Sequence, residues 1–255
     1  MIQQRIDELL HSAKSVGVTR GDLRNFANDA LERVSRNSAK TYCAILRSKL
    51  NDLDDVKLPD LSPLSIRGEA TISVYLNEKE IGEIERLDYS GMDRMYQLYF
   101  LISARTGCRV SDVVSISAAR IQGERLTYVC QKTGTKAELP AYAKLPEWLN
   151  ELNDLTKSND FSKRTFNHKI KQMCKAAGLT ERVATYRGGK ERITPKWQVC
   201  TPHTARRSFA TNLYLRGADL YSISKMMGHS NPEMTTRYIC CGLRNLPDNV
   251  MDFFK

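Results

Sequence analysis

Residues 93–105 restrict the possible folds more than any other segment, because apolar side chains surround nearly the whole helix that they predict. Met95, Leu98, Tyr99 and Ile102 lie there among further apolar neighbours. A helix that is apolar on all sides has to be covered on all sides. We therefore expect a deeply buried helix at the core of a mostly helical domain.

The first fifty residues predict three short amphipathic helices. A first apolar stripe starts at Ile2 and ends near Gly17, and a second helix follows Thr19, an N-cap residue with Asp22 at the third helical position. Apolar residues then recur at helical spacing up to Val34. The third helix is expected to begin after residue 37 or 38, with an apolar stripe of Tyr42, Ile45, Leu46 and Leu50.

Residues 51–71 interrupt this helical pattern. They combine scattered acids with Pro59, Pro63 and Gly68, a composition typical of a linker. We place a domain boundary near residue 70, which gives a small helical domain with its linker at 1–70 and a larger domain at 71–255.

The larger domain combines helices with a small antiparallel sheet. Asn77 and Glu80 form a capping-box-like helix start, and residues 125–140 alternate around Thr133-Gly134 like a β-hairpin. Further helices are expected at 163–177, 203–216 and 219–227, with an extended loop or hairpin at 182–199. The predicted fold class is mainly α with a small antiparallel β-sheet, in two domains.

Charge is distributed unevenly along the chain, which has a net charge of +10. Residues 101–210 hold 20 Lys and Arg against 9 Asp and Glu, a balance of +11, whereas residues 51–100 hold 5 against 11, a balance of −6. A basic segment of this size fits a partner that is a polyanion, since neutralised phosphates release counterions. A solvated basic surface explains the same charge equally well.

Cysteine usage and hydropathy exclude several classes of protein. The seven cysteines are scattered without a C-x-x-C pair, which favours free thiols in a reducing cytoplasm over a disulfide framework or a zinc site. No stretch approaches the roughly 20 apolar residues of a membrane span, and the amphipathic start does not resemble a signal peptide. We expect a cytoplasmic protein with no membrane, metal or cofactor.

Four separated segments carry the residue types that chemistry needs. They are ARTGCRVSD with Arg109 and Asp112, the hairpin turn QKTGTK with Lys132, TPHTARRSFATNL with His203 and Arg206, and MMGHSNPEMTTRYI with His229 and Tyr238. The spacing of three places His203 and Arg206 on one helical face. Each residue also has a non-functional interpretation. Arg109 can be a surface charge, Lys132 a solvated hairpin lysine and the H-x-x-R spacing a chance match. The Gly-His pair can be a helix C-cap, and Tyr238 can be packed in a core.

Taken together, the order and spacing of these residues resemble the tyrosine recombinases, or phage integrase family. The family pattern runs Arg, hairpin Lys, H-x-x-R, Gly-His near a helix end, then Tyr about nine residues later. The resemblance covers about residues 72–245 and is weaker over 1–60, and the HTARRSFATNL run looks most like integrases of phages and integrative conjugative elements. The catalytic residues it implies are Arg109, Lys132, His203, Arg206, His229 and Tyr238, with Asp112 as the family's acidic residue.

The resemblance implies a phosphodiester chemistry. Tyr238 attacks and becomes a 3′-phosphotyrosyl link, which conserves bond energy, so no ATP is needed. Arg109 and Arg206 hold the non-bridging oxygens, because a planar guanidinium can bind them bidentately. The two histidines donate further hydrogen bonds and His203 can help to take the phenolic proton, while Lys132 protonates the departing 5′-oxygen. No metal is expected, since no cluster of carboxylates accompanies these motifs.

The resemblance also implies partners and an overall form. We expect a C-shaped clamp around double-stranded DNA core sites with inverted repeats, and an accessory or directionality factor is an open possibility. The chain departs from three-domain integrases, because a helical unit that begins at residue 2 leaves no room for their N-terminal arm-binding module. A two-domain recombinase and a trimmed protein both explain this departure. We expect a homotetramer on DNA, formed through an apolar C-terminal tail that contains Leu246, Val250, Phe253 and Phe254. The tail can equally fold back on its own domain.

Two other functions stay open. A type IB topoisomerase uses the same catalytic set to relax supercoils as a monomer, and the tail after the nucleophile is what argues for a recombinase. A catalytically inactive DNA-binding regulator on the same scaffold would not need all six residues.

Overall fold

The computed structural model describes residues 2–69, 73–187 and 190–240, and the chain divides into two units. The first comprises Met1–Ile72 with Ala184–Ile193, and the second comprises Ser73–Val183 with Thr194–Lys255. Each unit has its own cluster of buried apolar side chains.

The first unit contains the three predicted helices, α1 (Ile2–Ser15), α2 (Arg20–Arg33) and α3 (Arg36–Asn51). Helix α2 begins as predicted, because the Thr19 side chain accepts from the Asp22 N–H while the Asp22 carboxylate accepts from the Thr19 N–H at 2.9 Å. These reciprocal bonds satisfy two N–H groups that a helix start leaves without partners.

Helix α3 differs from its prediction in its start and in its buried face. It begins after the cap residue Ser35, two or three residues early, and its buried line is Ala39, Cys43, Leu46 and Leu50. The prediction that Ile45 belongs to this line is wrong, since Ile45 is 36% exposed. Ile45 directly precedes Leu46 and therefore lies about 100° away around the helix axis.

The segment after α3, predicted as a linker, has little regular structure but is packed against the helices. A 3₁₀ turn spans Ser62–Leu64, and Leu64 is only 3% exposed. The Asn37 side chain forms hydrogen bonds of 3.0 Å with both the backbone N–H and the carbonyl of Glu69. The proline and glycine content of residues 51–71 therefore predicts their irregular backbone correctly, but it does not predict that the segment packs against the helices.

The second unit is built around α5 (Gly91–Thr106), the helix predicted to be buried, in which residues 95–102 all have buried side chains. Around it lie α4 (Glu78–Glu85), α7 (Leu145–Thr156), α8 (Lys163–Ala176) and α10 (Pro202–Leu215), and α11 (Leu220–Met226) packs against α10. Three single-turn helices complete the set: α6 (Val110–Val113), α9 (Lys196–Val199) and α12 (Glu233–Thr236). Helix α7 is absent from the prediction, although Leu145, Trp148, Leu149 and Leu152 have helical spacing and are buried.

Two small antiparallel sheets accompany the helices. The first has the order β1 (Ile121–Gln122), β2 (Arg125–Val129) and β3 (Lys136–Pro140), with Leu126 opposite Leu139. Its β2–β3 hairpin carries the turn with Lys132, as predicted. The second pairs β4 (Arg182–Arg187) with β5 (Lys190–Pro195), so paired strands occupy most of the segment 182–199. The mainly helical fold with a small antiparallel sheet is thereby confirmed.

Candidate active site

Arg206 is the best-fixed of the predicted site residues. It lies on α10, which starts at the cap Thr201 with Pro202 in the first turn, and it is 1% exposed. Its Nη1 donates to the Gly107 carbonyl, and its Nη2 donates to the Met227 carbonyl at 2.9 Å. Both carbonyls lie at helix C-termini, where the helix dipole is negative. The orientation of the guanidinium is therefore set by the ends of α5 and α11.

Two glycines make these helix ends possible. Gly107 has a φ of +65°, and a Cβ there would lie 2.4 Å from the Phe209 ring. Gly228 has a φ of +62°, and a Cβ there would lie 2.3 Å from Cys130 Sγ. Because L side chains rarely adopt this conformation and neither site has room for one, both turns require glycine.

His229 is held between Arg206 and α12. Arg206 Nη2 lies 2.6 Å from His229 Nε2, and His229 Nδ1 lies 2.9 Å from Thr235 Oγ1. An arginine can only donate, so Nε2 is the acceptor and the ring proton is on Nδ1, which donates to Thr235. Burial, followed by the positive charges of Arg206 and Arg109, lowers the pKa of His229 to about 4.

The neutral His229 ring therefore has no N–H left for a substrate in this arrangement. Its one N–H is directed at Thr235, a fully buried residue. Donation from Nε2 to a phosphate oxygen, as the resemblance implies, requires the other tautomer or a protonated ring together with a shift of Arg206. Sequence reasoning did not single out Thr235, although it lies three residues before Tyr238.

Tyr238 is half-buried beside these groups. Its ring centroid is 5.2 Å from the His229 ring and 5.2 Å from Arg206 Cζ. The Tyr238 N–H donates to the Thr235 carbonyl at 2.9 Å, and its own carbonyl accepts from Thr211 Oγ1 at 3.2 Å. Arg206, His229 and Tyr238 are thus brought together by contacts from α10 and α12.

Arg109 and Asp112 form a second group at the start of α6. Asp112 is fully buried, and its Oδ1 accepts from the Gln131 N–H at 3.1 Å. Its Oδ2 lies 3.9 Å from Arg109 Nη1, and neither of these two atoms has a hydrogen-bond partner among the described residues. Asp112 therefore anchors the hairpin turn next to Lys132 and faces the Arg109 guanidinium.

His203 and Lys132 lie at the exposed side of the site. The pKa of His203 is lowered, first by desolvation of its ring and then by the charges of Arg207, Arg206, Arg109 and Lys132. Lys132 is exposed in the hairpin turn, near enough for its charge to act on the imidazole. A neutral His203 at neutral pH can accept a proton.

A cleft of about 190 Å³ joins part of these residues. Arg109, His203 and Arg206 line it together with Lys163, from the first turn of α8. Two guanidinium atoms at the site, Arg206 Nε and Arg109 Nη1, have no partner among the described residues, although they are buried. Buried donors of this kind are normally satisfied, and the two arginines that carry them line the cleft, so a small shift of either guanidinium would let it donate to an anion there. Lys132 and Tyr238 do not line it.

The described parts of the chain lack both a membrane-spanning helix and a cluster of metal ligands. No helix there is long and apolar enough to cross a membrane. No group of three or more His, Cys, Asp or Glu side chains there is arranged to hold a metal ion.

Comparison with known proteins places the chain in a family. Residues 75–240 match the phage integrase family. The tyrosine recombinase XerC of Bacillus licheniformis is 29% identical over 238 residues, which are 87% of this chain and 76% of that protein. Among solved structures, a lambda integrase tetramer bound to a Holliday junction has a TM-score of 0.63 at 18% identity, covering 87% of this chain and 64% of that one. The integrase of the transposon Tn1549 in complex with a circular intermediate DNA has a TM-score of 0.68 at 14% identity, covering 98% and 91%.

The two structural likenesses show a shared fold, and the family match covers all six predicted site residues. The chain belongs to the phage integrase family and is an enzyme of the tyrosine-recombinase type.

Proposed function

We propose that this enzyme recombines double-stranded DNA at specific core sites, through a 3′-phosphotyrosyl link on Tyr238 and a Holliday junction, without metal or ATP. The observation that carries the proposal is the contact of Arg206 with His229 and Tyr238, next to a cleft with unsatisfied guanidinium donors. A phosphodiester supplies the acceptor oxygens that these donors lack.

In the proposed first step the Tyr238 oxygen attacks the scissile phosphorus, and the phenolic proton moves to His203. The lowered pKa of His203 supports this role, because the ring is then neutral and able to accept at neutral pH. Arg109 and Arg206 neutralise the charge that gathers on the non-bridging oxygens. His229 holds the Arg206 guanidinium in place and gains a further contact to phosphate only if its Nε2 carries a proton and Arg206 shifts away from it.

The P–O5′ bond breaks as the P–O bond to tyrosine forms, and the leaving 5′-oxygen takes a proton from Lys132. A lysine suits this role because its ammonium group is mobile and carries protons that it can donate. The Asp112 bond to the Gln131 N–H supports it by fixing the turn that carries Lys132. Attack by a 5′-hydroxyl from a second strand reverses the step and releases Tyr238.

We further propose that residues 1–70 hold the core DNA and that residues 71–255 carry the chemistry, in a protein of the cytoplasm. The lambda integrase tetramer on a Holliday junction supports assembly of four subunits on paired sites. The tail residues Leu246, Val250, Phe253 and Phe254, through which we expect this assembly, lie outside the described residues.

The test uses supercoiled plasmids with one or two copies of the DNA that flanks the gene, in EDTA. A recombinase converts the two-copy plasmid into recombinant circles. Relaxation of both plasmids without recombinants would identify a type IB topoisomerase instead. If recombination stops in EDTA and returns when magnesium is added, the proposal that side chains alone stabilise the charge of the transition state is contradicted.

A further inference from the structure

The first turn of α8 carries an unusual charge for a helix start. Lys163 and Arg164 are its first two residues, both exposed, and no acidic residue lies in the turn. Cations at a helix N-terminus oppose the helix dipole, which favours negative charge there. The Ser162 side chain caps the Thr165 N–H at 3.3 Å, so the free N–H groups of the first two residues also remain available for an acceptor.

A second, independent observation concerns the cleft that this turn borders. Lys163 lines the cleft together with Arg109, His203 and Arg206. Arg206 is 1% exposed, and its Nε has no partner among the described residues. Lys163 also lacks a carboxylate within ion-pair distance among those residues, in contrast to Lys169 on the same helix, which pairs with Asp93 at 2.6 Å.

We propose that Lys163 and the N-terminal turn of α8 bind a DNA phosphate oxygen at the mouth of this cleft. The inference rests on the proposed function. It adds Lys163, which lies outside the four catalytic motifs, to the cations that bind the DNA backbone at this cleft. Lys163 acts in binding and orientation of the backbone, because an exposed ammonium on a flexible stem gains mostly from charge neutralisation. Protonation of the leaving oxygen stays with Lys132.

The test compares Lys163→Gln and Lys163→Arg with Lys157→Gln. Lys157 is the control, because it is an exposed lysine at the end of α7 that pairs with Asp154 and does not line the cleft. Each protein is titrated with a short duplex DNA of arbitrary sequence at several salt concentrations. Thermal unfolding is measured in parallel.

Lys163→Gln should lower the affinity several-fold and make the slope of log K against log salt shallower by about 1. Lys163→Arg should keep most of the affinity, and Lys157→Gln should resemble the unchanged protein. The melting temperature of Lys163→Gln should stay the same or rise, since a cation that opposes the helix dipole is removed.

Equal affinity and slope for Lys163→Gln and Lys157→Gln would overturn the inference while leaving the proposed function intact. Loss of binding that follows a lower melting temperature would also overturn it, because Lys163 would then be structural. If the unchanged protein itself binds duplex DNA without salt dependence, the proposed function fails and not this inference alone.

Discussion

Thr235→Val removes the one acceptor that fixes the tautomer of His229. The hydroxyl oxygen accepts from His229 Nδ1 at 2.9 Å, and the residue is fully buried. Valine has nearly the same shape, so the change removes a hydrogen bond without leaving a cavity. The Nδ1–H then has no partner, and transfer of the proton to Nε2 would place it against the Nη2 donor of Arg206, 2.6 Å away.

The size of the effect follows from the unsatisfied group. A buried donor without a partner costs about 1–3 kcal/mol. If that cost falls on the transition state, strand cleavage slows by about 5- to 150-fold, since each 1.36 kcal/mol is a factor of ten. Binding to DNA should be retained, because Thr235 does not line the cleft.

The assay is the rate of covalent protein–DNA adduct formation on a suicide substrate, at saturating DNA. Thr235→Ser is the matched control, because it keeps the acceptor oxygen and loses only a methyl group, and it should restore most of the rate. A Thr235→Val protein that cleaves at the normal rate would refute the reasoning. Equal damage by serine and valine would refute it too, since the methyl group would then be what matters.

Three further predictions follow from the same contacts. Gly228→Ala should lower the free energy of unfolding by about 1–2 kcal/mol or more, because it adds left-handed backbone strain and a clash with Cys130. Gly123→Ala is the control, since Gly123 has a φ of +59° and open space around it and should show the strain alone. Denaturant unfolding of the two variants measures the difference. The pKa of His229 lies below its ordinary value, so the contribution of this residue to stability is complete above pH 6.5 and is lost as the pH falls towards about 4. His229→Gln should therefore make the melting temperature depend less on pH in this window. An unchanged slope of melting temperature against pH would contradict the prediction. Lys132→Ala should block cleavage of a normal phosphodiester but not of a 5′-bridging phosphorothiolate, because the sulfur leaves without a proton. If the cleavage rate falls equally on both substrates, Lys132 is not the general acid.

Local patterns in the sequence were sufficient for most of the helices. The capping pairs Thr19 with Asp22 and Asn77 with Glu80 both form, because each depends only on residues three apart. The buried face of α3 was not predicted as reliably. Apolar character alone could not separate Ile45 from Leu46, since the choice between adjacent residues depends on what the helix packs against.

The positions of the site residues along the chain were predictable from the motif, but their hydrogen bonds were not. Arg206 bonds to Gly107, 99 residues away, and to Met227, 21 residues away. Thr235 and Lys163 were not predicted as site residues for a similar reason. A threonine inside the motif and a lysine at a helix start become informative only when folding places them against His229 and the cleft.

The most direct test of the account is the identity of the residue that becomes linked to DNA. A suicide substrate is incubated with the protein, the covalent complex is digested, and the modified peptide is identified by mass spectrometry. The account predicts a phosphotyrosyl link on Tyr238, and no SDS-resistant adduct with Tyr238→Phe although DNA binding persists, because that change removes only the phenolic oxygen. An adduct that still forms with the phenylalanine variant, or a link that maps to another residue, would contradict the central claim.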